Sequence, residues 1–131
     1  MKCPCCSELE YKVCCEPFIL GEDNPPSAEK LMRSRYTAFA VKAYDYLEET
    51  TDPQTTSEFD HAGNRDWGDT VKFVKLEILS AVEVKNKATL EFIAHFNKDG
   101  VELTHQEMSK FRQQGGVWFF REGKVKEPPK S

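Results

Sequence analysis

All five cysteines of the 131-residue chain fall within thirteen positions: Cys3, Cys5, Cys6, Cys14 and Cys15. A disulfide framework spreads over the chain it staples and needs an oxidising compartment, and the amino-terminal Met-Lys-Cys-Pro-Cys-Cys has no apolar export signal. The spacing, Cys3-x-Cys5 and then Cys14-Cys15 after eight residues, suits metal instead. Four thiolates at about 2.3 Å from one ion make a closed tetrahedral site, and soft sulfur selects zinc over magnesium or calcium. A closed site leaves no position for water, so one structural Zn2+ per chain is expected, held by Cys3, Cys5, Cys14 and Cys15. Cys6 is left as a spare thiol able to compete with Cys5. The competing reading is a set of free thiols or a redox sensor.

A second group of residues could bind or transform a small molecule. Arg33, Arg35 and Tyr36 share one helical stretch, and Arg35 falls on its apolar stripe with Leu31, Met32 and Phe39. A guanidinium on a buried face needs an anionic partner or several carbonyls. The structural expectation is an ion pair to Glu107; the functional one is an anchor for an anion. His105 and Glu107 are two apart on a predicted strand and so share a face, continued by Ser109 and Phe111, while Lys110 and Arg112 lie on the other. A histidine beside a carboxylate is able to act as a general base, yet such pairs are more often cross-strand bonds and no pair here is diagnostic, so an enzyme is the less expected reading. The pocket candidates are Arg35, Tyr36, Trp67, His105 and Glu107. His95 lies on the preceding strand, and Trp67 is expected to cap the core or the pocket mouth.

The elements that must carry these residues can be read from periodicity. Pro17, Gly21, Asn24, Pro25 and Pro26 mark an irregular connector. Ser27 is an N-cap signal, and a helix is predicted from about Ser27 to Glu49 with a break near Val41–Ala43. Asp52-Pro53 ends it, because the residue before proline is pushed out of the helical region. Residues 54–69 are polar, with a short helix at Glu58-Phe59 and turns at Gly63 and Gly68. The period then becomes two: strands over Val71–Val84, Thr89–Phe96, Glu102–Gln113 and Val117–Arg121, with turns at Lys85-Asn86-Lys87, Asn97–Gly100 and Gln114–Gly116. Alternation puts Trp118 and Phe120 on one face and Phe119 on the other. Helices followed by an antiparallel meander predict an α+β fold.

Two resemblances add to this. Cys3-Pro-Cys-x-Ser, Tyr11 and Cys14-Cys15 resemble the SEC-C motif, a short zinc module also found at the end of the preprotein translocase ATPase. The glycine usual after the second cysteine is Cys6 here, and the usual basic loop is acidic (Glu8, Glu10). Further on, Leu31-Met-Arg-Ser-Arg-Tyr-Thr-Ala-Phe, Asp45-Tyr46-Leu47, Thr51-x-Pro53, His105-x-Glu107-x-Ser109-x-Phe111 and Val117-Trp-Phe-Phe-Arg-Glu-Gly resemble the YchJ-like family of small bacterial proteins. That match covers roughly residues 3 to 123. It implies a SEC-C segment joined to a nuclear-transport-factor-2-like domain: a cone of helices inside a curved four-stranded antiparallel sheet. Many members carry a second SEC-C motif, which is not found here. Domains at 1–26 (zinc segment and connector), 27–125 (cone) and 126–131 (tail) follow.

Composition narrows the function. Charged residues are 31%, hydrophobic residues 39%, and the net charge is −4, which argues against a general nucleic-acid binder. No apolar run approaches the roughly 20 residues of a membrane helix, so a cytoplasmic protein is expected. Six basic and two acidic residues lie between Lys110 and Ser131, against two and eight between Lys42 and Asp69; the basic end is a weak footprint for RNA. The first expectation is a zinc module acting as a platform for another protein, joined to a pocketed α+β domain. The alternatives are a small-molecule binder or isomerase- or dehydratase-like enzyme using the cone, and a ribosome or RNA adaptor.

Overall fold

The computed structural model describes residues 1–126. The first fifteen residues form a small loop closed by backbone bonds from Cys3 N to the Leu9 carbonyl (2.8 Å) and from Tyr11 N to the Met1 carbonyl (2.9 Å). A 3-10 turn, Tyr11–Val13, leads into α1 (Glu16–Ile19). The connector is thus partly helical, because Cys15 and Pro17 start a turn that Gly21, at φ +79°, stops. The long helical stretch is two helices, α2 (Ala28–Ala40) and α3 (Tyr44–Glu49). Ser27 caps α2 by accepting from Lys30 N at 3.1 Å.

The break falls at the expected place. Lys42 takes φ +63°, Ala43 N donates back to the Ala38 carbonyl at 2.8 Å, and the chain reverses. A lysine tolerates this position because its Nζ reaches the Gly68 carbonyl (3.1 Å) and Asp69 (3.3 Å) on α4 (His61–Thr70). Ser34 on α2 meets the Tyr46 hydroxyl on α3 at 2.7 Å, clamping the two helices together.

The existence of α4 corrects the turns expected at Gly63 and Gly68. Both glycines are inside this helix for space. Asp60 caps it by accepting from Gly63 N at 2.9 Å, and its carboxylate lies where a Cβ on residue 63 would go. At Gly68 a Cβ would meet the Tyr44 ring 2.6 Å away. The short helix at Glu58-Phe59 is a 3-10 turn, Thr56–Glu58.

Four strands, β1 (Lys72–Val84), β2 (Lys87–Lys98), β3 (Val101–Gln114) and β4 (Val117–Lys126), form one antiparallel sheet in sequence order. Tight turns join them, with Asp99 and Gly100 at φ +53° and +81° and Gly115 and Gly116 at +58° and +81°. Strand β4 continues through Gly123 to Lys126, beyond the expected end at Arg121, pairing with Gln106–Ser109. Position 126 is therefore strand, and the rest of the expected tail lies outside the described residues.

The register slips at Val74 and Leu79 on β1 and at Arg121 on β4, and such bulges bend a sheet and re-aim side chains. The sheet curves over α2, burying Leu31, Ala38, Leu47, Leu76, Leu90, Phe111 and Trp118 in one core. The fold is α+β, with the helices inside the concave face.

Candidate functional site

The cysteine centre is assembled by the amino-terminal loop and the start of α1. The sulfurs of Cys3, Cys5, Cys14 and Cys15 all lie within 4.8 Å of one another. Sulfurs at 2.3 Å from a common tetrahedral ion would be roughly 3.8 Å apart; Cys5 and Cys14 are 3.6 Å apart and Cys14 and Cys15 3.9 Å. The four residues can hold one metal ion.

Without a cation four thiols this close cannot all ionise. Hydrogen bonds from Cys15 and Cys3 push the Cys5 thiol down, while Cys15 is pushed up by Cys3, Cys5 and burial, and Cys14 is pushed up chiefly by burial. A dication would reverse this by stabilising every thiolate. Hydroxyls line the sulfurs: Ser7 Oγ is 3.0 Å from Cys14 Sγ, and Thr37 Oγ1, on α2, donates to Cys15 at 3.5 Å and lies 3.6 Å from Cys3.

Cys6 stands outside the set. Its backbone takes φ +66°, the conformation a glycine would favour. Its exposed thiol accepts from Leu76 N on β1 at 3.5 Å instead of facing the other sulfurs. Arg33 reaches the Cys5 carbonyl at 2.7 Å and Glu29 at 3.1 Å. Sequence reasoning missed Thr37 because a threonine within a helix has no pattern that marks it as a partner of sulfur.

The second site is a cavity of about 730 Å³ at the open end of the cone. Arg35, Tyr36, Trp67, His105 and Glu107 all line it. Arg35 does not form the expected ion pair with Glu107. Its Nη1 donates to the Leu47 carbonyl and to Thr50 Oγ1, both at 2.7 Å, and its guanidinium lies 4.4 Å from the centre of the Phe120 ring. The carboxyl end of α3 supplies the carbonyl that the sequence argument assigned to a carboxylate. Nε and Nη2 have no hydrogen-bond partner among the described residues. Burial pulls this guanidinium down to about 10, with the Glu107 charge only partly opposing it.

Glu107 is held by its own strand. Oε2 accepts from Ser109 Oγ at 2.6 Å and Oε1 lies 3.0 Å from His105 Nε2. Burial raises this carboxyl, but those two hydrogen bonds and the Arg35 charge outweigh it and leave it below the usual range. An ionised carboxylate only accepts, so His105 Nε2 carries a proton and donates it to Glu107. Such a pair is able to accept a proton or a hydrogen bond from a bound molecule. On β4, Gly123 leaves room for the carboxylate, since a Cβ there would collide with it.

Trp67 packs edge-on against Phe39 and Phe73, both with ring centroids 4.9 Å away, and 5.6 Å from His105. His95 lies on the opposite face of the sheet, 2.6 Å from Glu77.

One buried polar centre gave no signal in the sequence. Asp52 is wholly buried and is gripped by Arg112 through two bonds of 2.8 Å, with Arg121 at 3.3 Å. The bulge at Arg121 turns that side chain towards it.

Residues 27–123 match the family model described as YchJ, middle NTF2-like domain. The chain belongs to this YchJ-like family. A UPF0225 protein of Geobacter sulfurreducens is 36% identical over 124 residues, covering 92% of this chain and 77% of that protein. The solution structure of a SEC-C motif containing protein from Rhodopseudomonas palustris is 42% identical with a TM-score of 0.89, covering 97% of this chain and 100% of that one. A crystal structure of a SEC-C motif containing protein from Psychrobacter arcticus gives 0.82 at 26% identity, covering 98% and 84%. The YchJ-like cone and the SEC-C cysteines thus occur together, and no helix among the described residues is long and apolar enough to cross a membrane.

Proposed function

We propose that this protein binds a small molecule in the cone cavity, and that the four-cysteine centre holds zinc as a structural brace. The observation that carries the first part is the cavity itself: it is open and lined by Arg35 donors without partners and by the bonded His105–Glu107–Ser109 set. Ligand sites are concave, mostly apolar and carry a few converging polar groups. All-sulfur ligation supports zinc. NMR screening of the zinc-loaded chain with a set of small aromatic and aliphatic fragments tests the cavity. Shifts are expected at Trp67, Phe92 and His105; no fragment binding there at millimolar concentration would overturn the reading. Metal analysis of protein prepared under reducing conditions should return about one zinc per chain, and far less would remove the brace.

A second reading, the module as a platform for another protein, is supported by the exposed apolar side chains of Leu9, Val13 and Leu20 around the cysteines. If it holds, Val13→Glu with Leu20→Glu should release a co-purifying protein while leaving zinc content unchanged. The adaptor for RNA has less support. Among the described basic residues from Lys110 onward, Lys110, Arg112, Arg121 and Lys126 are already paired with Glu122, Asp52 or Glu91.

A further inference from the structure

We propose that the cavity selects a small aromatic monocarboxylic acid, with its carboxylate on the free edge of Arg35 and its ring between the aromatic walls. This rests on the reading of the cavity as the ligand site.

Three observations fix the chemistry. The first is the charge balance inside. Each Glu107 oxygen is already engaged, one by His105 and one by Ser109, whereas among the described residues Arg35 spends only Nη1 and keeps Nε and Nη2 unspent. A guanidinium edge with two parallel donors matches a carboxylate bidentately. The unmet demand in the cavity is therefore for one anionic group.

The second is the rim. Glu58, Asp60 and Glu122 line the cavity and are exposed; Arg121 lines it too but is engaged by Asp52 and Gln54, and the Lys110 contact of Glu122 is a long one at 3.7 Å. Three carboxylates at the entrance oppose a doubly charged phosphate more strongly than a singly charged carboxylate, so the number of charges on the ligand is limited to one.

The third is the wall. Phe39, Phe59, Phe92, Phe111 and Trp67 line the cavity, and Phe39 and Trp67 already meet edge to face. Such surfaces accept a flat ring in the same stacked or edge-on geometries. The His105 ring adds a polar edge to this wall.

The test uses four indole probes on the zinc-loaded full chain at pH 7: indole-3-acetate, the neutral alcohol tryptophol, the cation tryptamine and the dianion indoxyl phosphate. Binding is followed by the NMR shifts of the Trp67 indole and His105 ring. Indole-3-acetate should bind at least about tenfold more tightly than each of the others, the margin expected of a charge-assisted bidentate contact. Arg35→Gln should remove that preference while leaving tryptophol binding nearly unchanged. The preference among probes on the unaltered chain stands as a result even if the variant does not fold. Tighter binding of tryptophol, tryptamine or the phosphate at the same resonances would overturn the monoanion assignment and leave the ligand site standing. No shift at the cavity with any probe would overturn both.

Discussion

At Arg35 a charge on an apolar helical face is anchored through one of its nitrogens by the end of the next helix. Its Nη1 bonds to the Leu47 carbonyl and Thr50 hydroxyl bind α2 to the carboxyl end of α3, where that carbonyl also accepts from Thr51 Oγ1 at 2.8 Å. Arg35→Met should therefore cost about 1–3 kcal/mol by denaturant unfolding, the worth of the charge-assisted hydrogen bonds it removes. Adding Glu107→Gln should not restore the loss, because Glu107 depends on His105 and Ser109. Full rescue by the double variant would reinstate a direct pair.

Asp52 behaves differently, since its own charge is the buried one. Hydrogen bonds from Arg112, then the Gln54 amide and the Arg121 charge, hold its carboxyl below the usual range despite desolvation. A depressed folded value stabilises the protein above the unfolded carboxyl value near pH 4, and the contribution disappears as pH falls through the lower folded value. Asp52→Asn should lower the melting temperature at pH 7 by more than the surface change Glu48→Gln. The gap to wild type should close below about pH 4, and a gap constant with pH would show that the charge is not what stabilises.

Among the elements, α4 shows where reading by pattern stops. Glycine in a helix normally costs about 1 kcal/mol relative to alanine, so Gly63 and Gly68 read as breaks. Gly68 is there because the Tyr44 ring occupies its Cβ space, a contact between segments that no local window contains. Gly68→Ala should destabilise by roughly 1–3 kcal/mol through overpacking, reversing the usual sign. Gly63→Ala, which displaces only the Asp60 cap, should cost less. Equal stabilisation by both, measured in urea, would contradict the packing account.

The strands, their turns and the Ser27 cap were legible because they follow periods of two and 3.6 and turn chemistry that act locally. The cysteine set was legible from spacing. What was not legible depended on separation: Arg35 with Leu47, Thr37 with two sulfurs, and Asp52 with Arg112 and Arg121, sixty and sixty-nine residues away. A bulge at Arg121, which decides where that side chain points, leaves no trace in composition.

For the molecule as a whole, the cysteine module and the cone are joined more closely than two independent parts would be. Cys6 bonds to β1, Arg33 and Thr37 reach from α2 into the cysteine loop, and Phe18 and Ile19 pack on the main core. Removing metal should therefore lower the melting temperature of the cone as well as disorder the first twenty or so residues. A chelated sample whose cone melts at an unchanged temperature would show that the two parts are uncoupled. A sample with no cooperative transition left would show that the cone cannot fold without metal.

The parallel bridge between Thr51 and Phe120 has a meaning for life in a crowded solution. The outer strands of an open sheet are templates on which another chain can polymerise. Here the Phe120 amide and carbonyl are occupied by Thr50 and Asp52, at 2.8 Å each, and the opposite margin is interrupted at Val74 and Leu79. The segment that leaves α3 therefore serves as a guard rail against fibre growth. Asp52→Pro, which deletes the bond to Phe120 along with the buried carboxylate, would expose that margin to passing strands.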